Sequence, residues 1–242
     1  MRKVALICAA AVVGALGITA VASAIQGSQT VSVSLQSNRA GTKAKPRSVS
    51  RLTVVTNTTP LPGEPPFATK QAVIHFDKNL VFGASKFATC AKTVVQANPR
   101  NCPVGSRVGT GSAIARLSTG GQVAPTITAY NGPRNAAGNS KLFLLVREPT
   151  FNVNAVLDGT LKPDTGKYGR KLDVLIPANL QNVAGIIITL TQFTTRVAGT
   201  AQGTPYVALK GCSGGKLSFK GDFFYTDNTN KSALDTATCR AS

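Results

Sequence analysis

The chain has 242 residues, 43% of them hydrophobic and 15% charged, with a formal net charge of +18. That balance excludes a disordered chain and supplies apolar material for a sizeable core. The excess of 27 Lys and Arg over nine Asp and Glu points to anionic partners.

The chain opens Met1-Arg2-Lys3 and then runs uncharged from Val4 to Ala24. A short basic start, an apolar stretch and an Ala22-Ser23-Ala24 exit predict a signal peptide over residues 1–24. An uncleaved anchor is the alternative, since an uncharged stretch of this length can span a bilayer. Gly14, Gly17, Thr19 and Ser23 dilute its apolarity and favour cleavage. The expected location is therefore secreted, extracellular or at the cell surface, without stable membrane insertion once the signal is removed. Cleavage also removes Cys8, Arg2 and Lys3, leaving 25 basic against 9 acidic residues.

Residues 25–50 are polar and basic, with room for one strand where Val31, Val33 and Leu35 alternate with polar neighbours. Pro60-Leu-Pro-Gly-Glu-Pro-Pro66 predicts a loop or extended linker, because proline has no N–H to give a ladder. Short alternating segments follow. Ala72, Ile74 and Phe76 share one strand face, with Val73, His75 and Asp77 opposite. Phe151, Val153, Ala155 and Leu157 share another, closing on an Asp158-Gly159 turn signal. Leu217, Phe219, Phe223 and Tyr225 form a third such face. Leu142–Val146 and Ile186–Ile188 are apolar on both faces and predict central strands. A helix is conceivable only near Phe87–Val95. About ten strands at this spacing predict an all-β fold, a β-sandwich (Ig-like or related) over residues 51–242.

Four cysteines remain after cleavage: Cys90, Cys102, Cys212 and Cys239. An even number in an exported chain predicts two disulfides, with three connectivities open. Proximity in the chain favours Cys90–Cys102 and Cys212–Cys239. Neither gap has the spacing of a zinc site, and His75 is the single histidine.

Nine Lys or Arg and no acid occur from Lys78 to Arg147. Within that span Arg107, Arg116 and Arg134 are the candidate polyanion contacts. The expected partner is an anionic cell-envelope polymer or acidic polysaccharide. Nucleic acid is disfavoured, since there is no Trp and the four Tyr residues are scattered.

Catalytic patterns are weak. His75 and Asp77 share a strand face, but no nucleophile accompanies them. Gly211-Cys-Ser-Gly-Gly215 matches a nucleophile elbow in letters only, because strand patterning follows it and no histidine lies downstream. Ser213-Gly-Gly-Lys216 fits S-x-x-K without the Lys-Thr-Gly partner. Gly105-Ser-Arg-Val-Gly-Thr-Gly111 lacks the features of a phosphate loop. The two glutamates, Glu64 and Glu148, form no glycosidase pair, and Asp227, Asn228, Asn230 and Asp235 miss the EF-hand pattern.

Phe87-Ala-Thr-Cys90 leading to Cys102-Pro-Val-Gly-Ser-Arg-Val-Gly-Thr-Gly111 resembles a motif of exported actinobacterial proteins. In that group a Phe-x-x-Cys strand end precedes a Cys-Pro-x-Gly-Ser-x-Val-Gly-x-Gly turn and strand. Cys212-Ser-Gly-Gly-Lys-Leu-Ser-Phe219, Phe223-Phe-Tyr225 and Cys239 resemble its last hairpin. The resemblance implies a sandwich domain, export and disulfides, and supplies no catalytic residues. The leading expectation is a secreted or envelope-associated, non-enzymatic binding or structural module that needs no cofactor. A secreted hydrolase using His75 is the alternative.

Overall fold

A computed structural model describes residues 27–60 and 68–241. The signal segment, most of the Pro60–Pro66 stretch and Glu64 lie outside them. The fold is all-β, as the alternation predicts. One thirteen-stranded sheet dominates, and eleven strands form its continuous path. In chain order these are β1 (Ser28–Gln36), β2 (Arg51–Thr59), β3 (Thr69–Asp77), β4 (Arg107–Leu117), β5 (Thr126–Gly132) and β6 (Ser140–Glu148). They continue with β7 (Val153–Pro163), β8 (Tyr168–Leu175), β9 (Ile186–Val197), β10 (Lys216–Tyr225) and β11 (Asn230–Thr238). The spatial order is β1-β2-β9-β4-β5-β6-β7-β8-β3-β10-β11, and every neighbouring pair is antiparallel.

The sheet curls until its two ends nearly meet, so opposite walls face each other across one core as sandwich halves do. Side-chain alternation dictates the curl. On β10, Leu217, Phe219, Gly221, Phe223 and Tyr225 are all buried, while Ser218, Lys220, Asp222 and Phe224 on the other face are partly exposed. On β1, Val31 and Val33 point inward and Ser28, Thr30, Ser32 and Ser34 face out.

Eleven alternating strands leave β11 running parallel to β1. The seam between them is therefore no ordinary ladder. A single parallel bridge joins Arg39 to Arg240. The Arg240 carbonyl accepts from the Ala40 N–H at 2.8 Å, and the Arg240 N–H donates to Asn38 at 3.0 Å. Deeper in the seam, the Val33 N–H donates to Asp235 Oδ2 at 2.6 Å. Ala233 and Ala237 flank Asp235 on the same face, and their small side chains leave room for β1 to approach.

One end of the barrel is plugged. Arg47–Ser48, Leu80–Phe82 and Val207–Leu209 form a three-stranded sheet there, burying Val49, Leu80, Val207 and Leu209. Phe82 packs edge-on against Phe76 of the wall, ring centroids 5.1 Å apart. Both disulfides sit at this end: Cys90–Cys102 with Cα atoms 5.2 Å apart, and Cys212–Cys239 at 5.8 Å. Each closes a short loop and stabilises the fold by about 3 kcal/mol in the chain-entropy model.

The conceivable helix is real but short, α1 (Lys92–Ala97). It lies on the outer wall, where Val95 packs with Tyr130, Phe143, Leu145 and Val156 in a second small core. That cover explains why Leu142–Val146 is buried on both faces. Among the described residues, no helix is long and apolar enough to cross a membrane.

Two local expectations fail. Asp158-Gly159 is not a turn but the middle of β7, paired with Phe143 and Leu142 on one side and with Leu175 and Val174 on the other. The Asp158 carboxylate turns out of the ladder to Lys141 at 2.5 Å, and a Cβ on Gly159 would lie 2.7 Å from the Leu142 carbonyl oxygen. Ladders on both sides override the dipeptide's turn preference. Ile186–Ile188 does open a strand with neighbours on both sides, but it is not buried on both faces. Ile188 pairs with Leu117 of β4, Ile186 and Ile187 pair with the two-residue strand Asn182–Val183, and Ile187 is 50% exposed.

Because Asp235 satisfies a β1 amide that has no ladder partner, Asp235→Ala should cost about 1–3 kcal/mol. Urea unfolding should show that loss, and hydrogen exchange should show the Val33 amide deprotected. Unchanged protection at Val33 would mean the seam is held elsewhere.

Candidate functional site

The Phe87–Cys90 segment and the Cys102-Pro-Val-Gly-Ser106 turn are anchored through one buried side chain, Asn131 on β5 (1% exposed). Its amide nitrogen donates to the carbonyls of Ala84 at 3.0 Å and Ala88 at 3.2 Å. Its backbone carbonyl accepts from the Cys90 N–H at 2.9 Å, and its N–H donates to Ser106 at 2.7 Å. The turn itself needs a glycine: Gly105 sits at φ +85°, where a side chain is strained. Ser106 N–H and Oγ both close on the Pro103 carbonyl, at 3.1 and 2.7 Å. The Gly105–Gly111 run is thus a turn entering β4, and the segment after it is a strand.

This stapled loop overhangs the outer wall and makes a hollow of about 360 Å³. Thr128 and Tyr130 of β5 form its floor, and Arg100, Arg107 and Arg147 line it. All three arginines are exposed, and none of the described residues lining the hollow is acidic. Among the described residues, no ion pair involves an arginine; every one uses a lysine or His75.

The predicted arginines are not one patch. Arg107 and Arg116 sit near opposite ends of β4, about 30 Å apart at the usual strand rise. Arg134 lies on the exposed connection after β5. Arg100 and Arg147 join Arg107 instead. Sequence reasoning named neither, because Arg147 reaches the hollow only through the pairing of β4 with β5 and of β5 with β6.

His75 is on the outer face of β3, but Asp77 is not its partner. Asp77 accepts from the backbone N–H groups of Asn79 and Ser218, each at 2.9 Å. The imidazole lies between two other carboxylates, with Nδ1 2.6 Å from Asp164 and Nε2 3.0 Å from Asp222. Ser232 donates to Asp222 and not to the imidazole.

The elbow-like Gly211–Gly215 is a tight turn. Gly214 and Gly215 take φ +63° and +72°, Cys212 is in a disulfide, and β10 follows at once. The oxygen-rich loop does not converge. Asp227 caps its own turn through the Thr229 N–H at 3.0 Å, while Asp235 faces the seam. Among the described residues, no three His, Cys, Asp or Glu side chains are grouped to hold a metal ion.

Burial works to raise the Asp222 carboxyl, but hydrogen bonds from Ser232 and Lys220 outweigh it and hold the group below its ordinary value of 3.8. At Asp173 burial is likewise outweighed by Lys162 and Gln71. Depressed folded values mean that both groups contribute full stability above pH 3.8 and lose it as pH falls toward those lower values. The Tm penalty of Asp222→Asn and Asp173→Asn should therefore shrink as pH drops below 3.8. A penalty equal at neutral and acid pH would contradict that assignment.

The chain matches no protein-family model, no curated protein and no solved structure.

Proposed function

We propose that the protein is an exported, non-enzymatic binding module that holds an anionic polymer of the cell envelope through its basic exterior. One observation carries the reading: Arg100, Arg107 and Arg147 line an exposed hollow with no acidic lining residue and no ion pair to compete. Guanidinium groups recognise sulfate, phosphate and carboxylate oxygens bidentately, and they do so best where no internal carboxylate occupies them.

The two disulfides fit an oxidising compartment outside the cytoplasm. A polar outer face and apolar inner face give the barrel a water-facing exterior, the reverse of a transmembrane barrel. Against the hydrolase alternative stands the geometry at His75, whose two ring nitrogens each face a carboxylate.

Retention on an acidic polysaccharide column such as heparin should weaken steeply with salt, since screening cuts the reach of exposed charges to about 8 Å at physiological ionic strength. Arg100→Glu, Arg107→Glu and Arg147→Glu combined should lower the eluting salt more, per reversed charge, than Arg116→Glu with Arg134→Glu. Thermal stability should hardly change in either variant, because all five side chains are exposed. Equal losses per reversed charge would reduce the hollow to general surface charge. No salt dependence at all would end the polyanion reading.

A further inference from the structure

The barrel encloses space that its own side chains leave empty. Eight strands make a barrel that side chains just fill or that holds one small ligand, and diameter grows with strand number. Eleven strands are wider, and the plug fills one end only. Beneath Phe82 and Tyr206 of the plug lies a cavity of about 110 Å³, walled chiefly by Leu52, Leu144, Leu157 and Val174. A second, of about 100 Å³, lies towards the other end and shares Leu157, Ile176, Leu190 and Phe193 with the first. An apolar cavity of order 150 Å³ stays dry and admits a benzene-sized guest.

The lining has a direction. Along the inner face of β2 it changes from Leu52 and Val54 near the plug to Thr56 and Thr58 at the far end. Thr69 and Gln29 join that polar end. There the Gln29 Oε1 accepts from Thr58 Oγ1 at 2.7 Å and from the Tyr225 hydroxyl at 2.8 Å. None of the described residues lining the larger cavity is charged. Glu148 borders the smaller one, but its carboxylate oxygens accept from the Thr150 and Phe151 N–H groups at 3.1 and 2.8 Å. The charge at the interior wall is thus negative and already held by backbone amides, and it offers nothing to attract an anionic ligand.

Shape narrows the choice further. Leu52 to Thr58 spans about 20 Å at the usual strand rise. The lining thus traces a long, narrow space with an apolar end and a polar end, which suits an extended chain better than a compact ring system. We infer that the barrel interior binds the single unbranched hydrocarbon chain of an amphiphile. The chain end lies against Phe82 and Tyr206, and the polar head lies at Gln29, Thr58 and Thr69. This site is separate from the arginine hollow and does not depend on it.

The test uses cis-parinaric acid, a linear fluorescent fatty acid, with uncharged 1-decanol as competitor. The expected result is saturable binding of one probe per protein, displaced by decanol and insensitive to added salt. Ala72 lines the cavity from β3. Ala72→Phe should weaken binding by about tenfold or more by filling that space, and Ala72→Leu should weaken it less. Circular dichroism establishes that each variant is folded; if Ala72→Phe is not, Ala72→Leu decides. Binding that is unsaturable, erased by salt or unchanged in the folded variants would overturn the proposal. Loss with salt would assign the probe to the basic exterior and leave the polyanion reading standing.

Discussion

An odd number of antiparallel strands cannot close on itself with an antiparallel pair. Here the path has eleven, so β1 and β11 meet running the same way. A parallel pair cannot be joined by a tight hairpin, and its edge amides need partners from elsewhere. The chain meets this with side chains and termini: Asp235 takes the Val33 N–H, and Asn38 Nδ2 reaches the Thr238 carbonyl at 3.0 Å. The Cys212–Cys239 bond ties the chain just after β11 to the chain just before β10, fixing the last hairpin at the seam.

Width follows from that closure, and the remaining architecture answers width. At the plug end, three short strands and the Phe76–Phe82 contact fill the interior. Asn131 and the Cys90–Cys102 bond then fix the loop that carries Arg100 over the outer wall, beside Arg107 of β4 and Arg147 of β6. Away from the plug the core is thinner, and threonines replace leucines. The same barrel thus offers a basic outer surface and a largely apolar inner one, separated by a single layer of sheet.

Alternation along single strands was legible in the sequence, which is why β3 and β10 and the inward Val31 and Val33 are readable without coordinates. The two cysteine pairs were legible because each closes a short loop. What depends on distant pairing was not. The carboxylates beside His75 lie 89 and 147 residues away in the chain, and no local pattern marks them. The hollow was half visible: Arg107 follows a recognisable turn, whereas Arg147 meets it only across two ladders. Asp158-Gly159 misled for a related reason, since a turn propensity worth a fraction of a kcal/mol yields to ladders on both sides of a strand.

Charge was the clearest hint in the sequence, yet it describes only the exterior. The interior cavity has no signature in composition, because its walls are ordinary leucines, valines and threonines. Its existence rests on strand number and closure. The most direct measurement is a crystal structure determined under xenon pressure, since xenon enters dry apolar cavities and leaves polar or filled ones. A closed eleven-stranded barrel with an unfilled interior predicts xenon between Leu144, Leu157 and Phe193. Electron density showing that space occupied by repacked side chains or ordered water, without xenon, would contradict it.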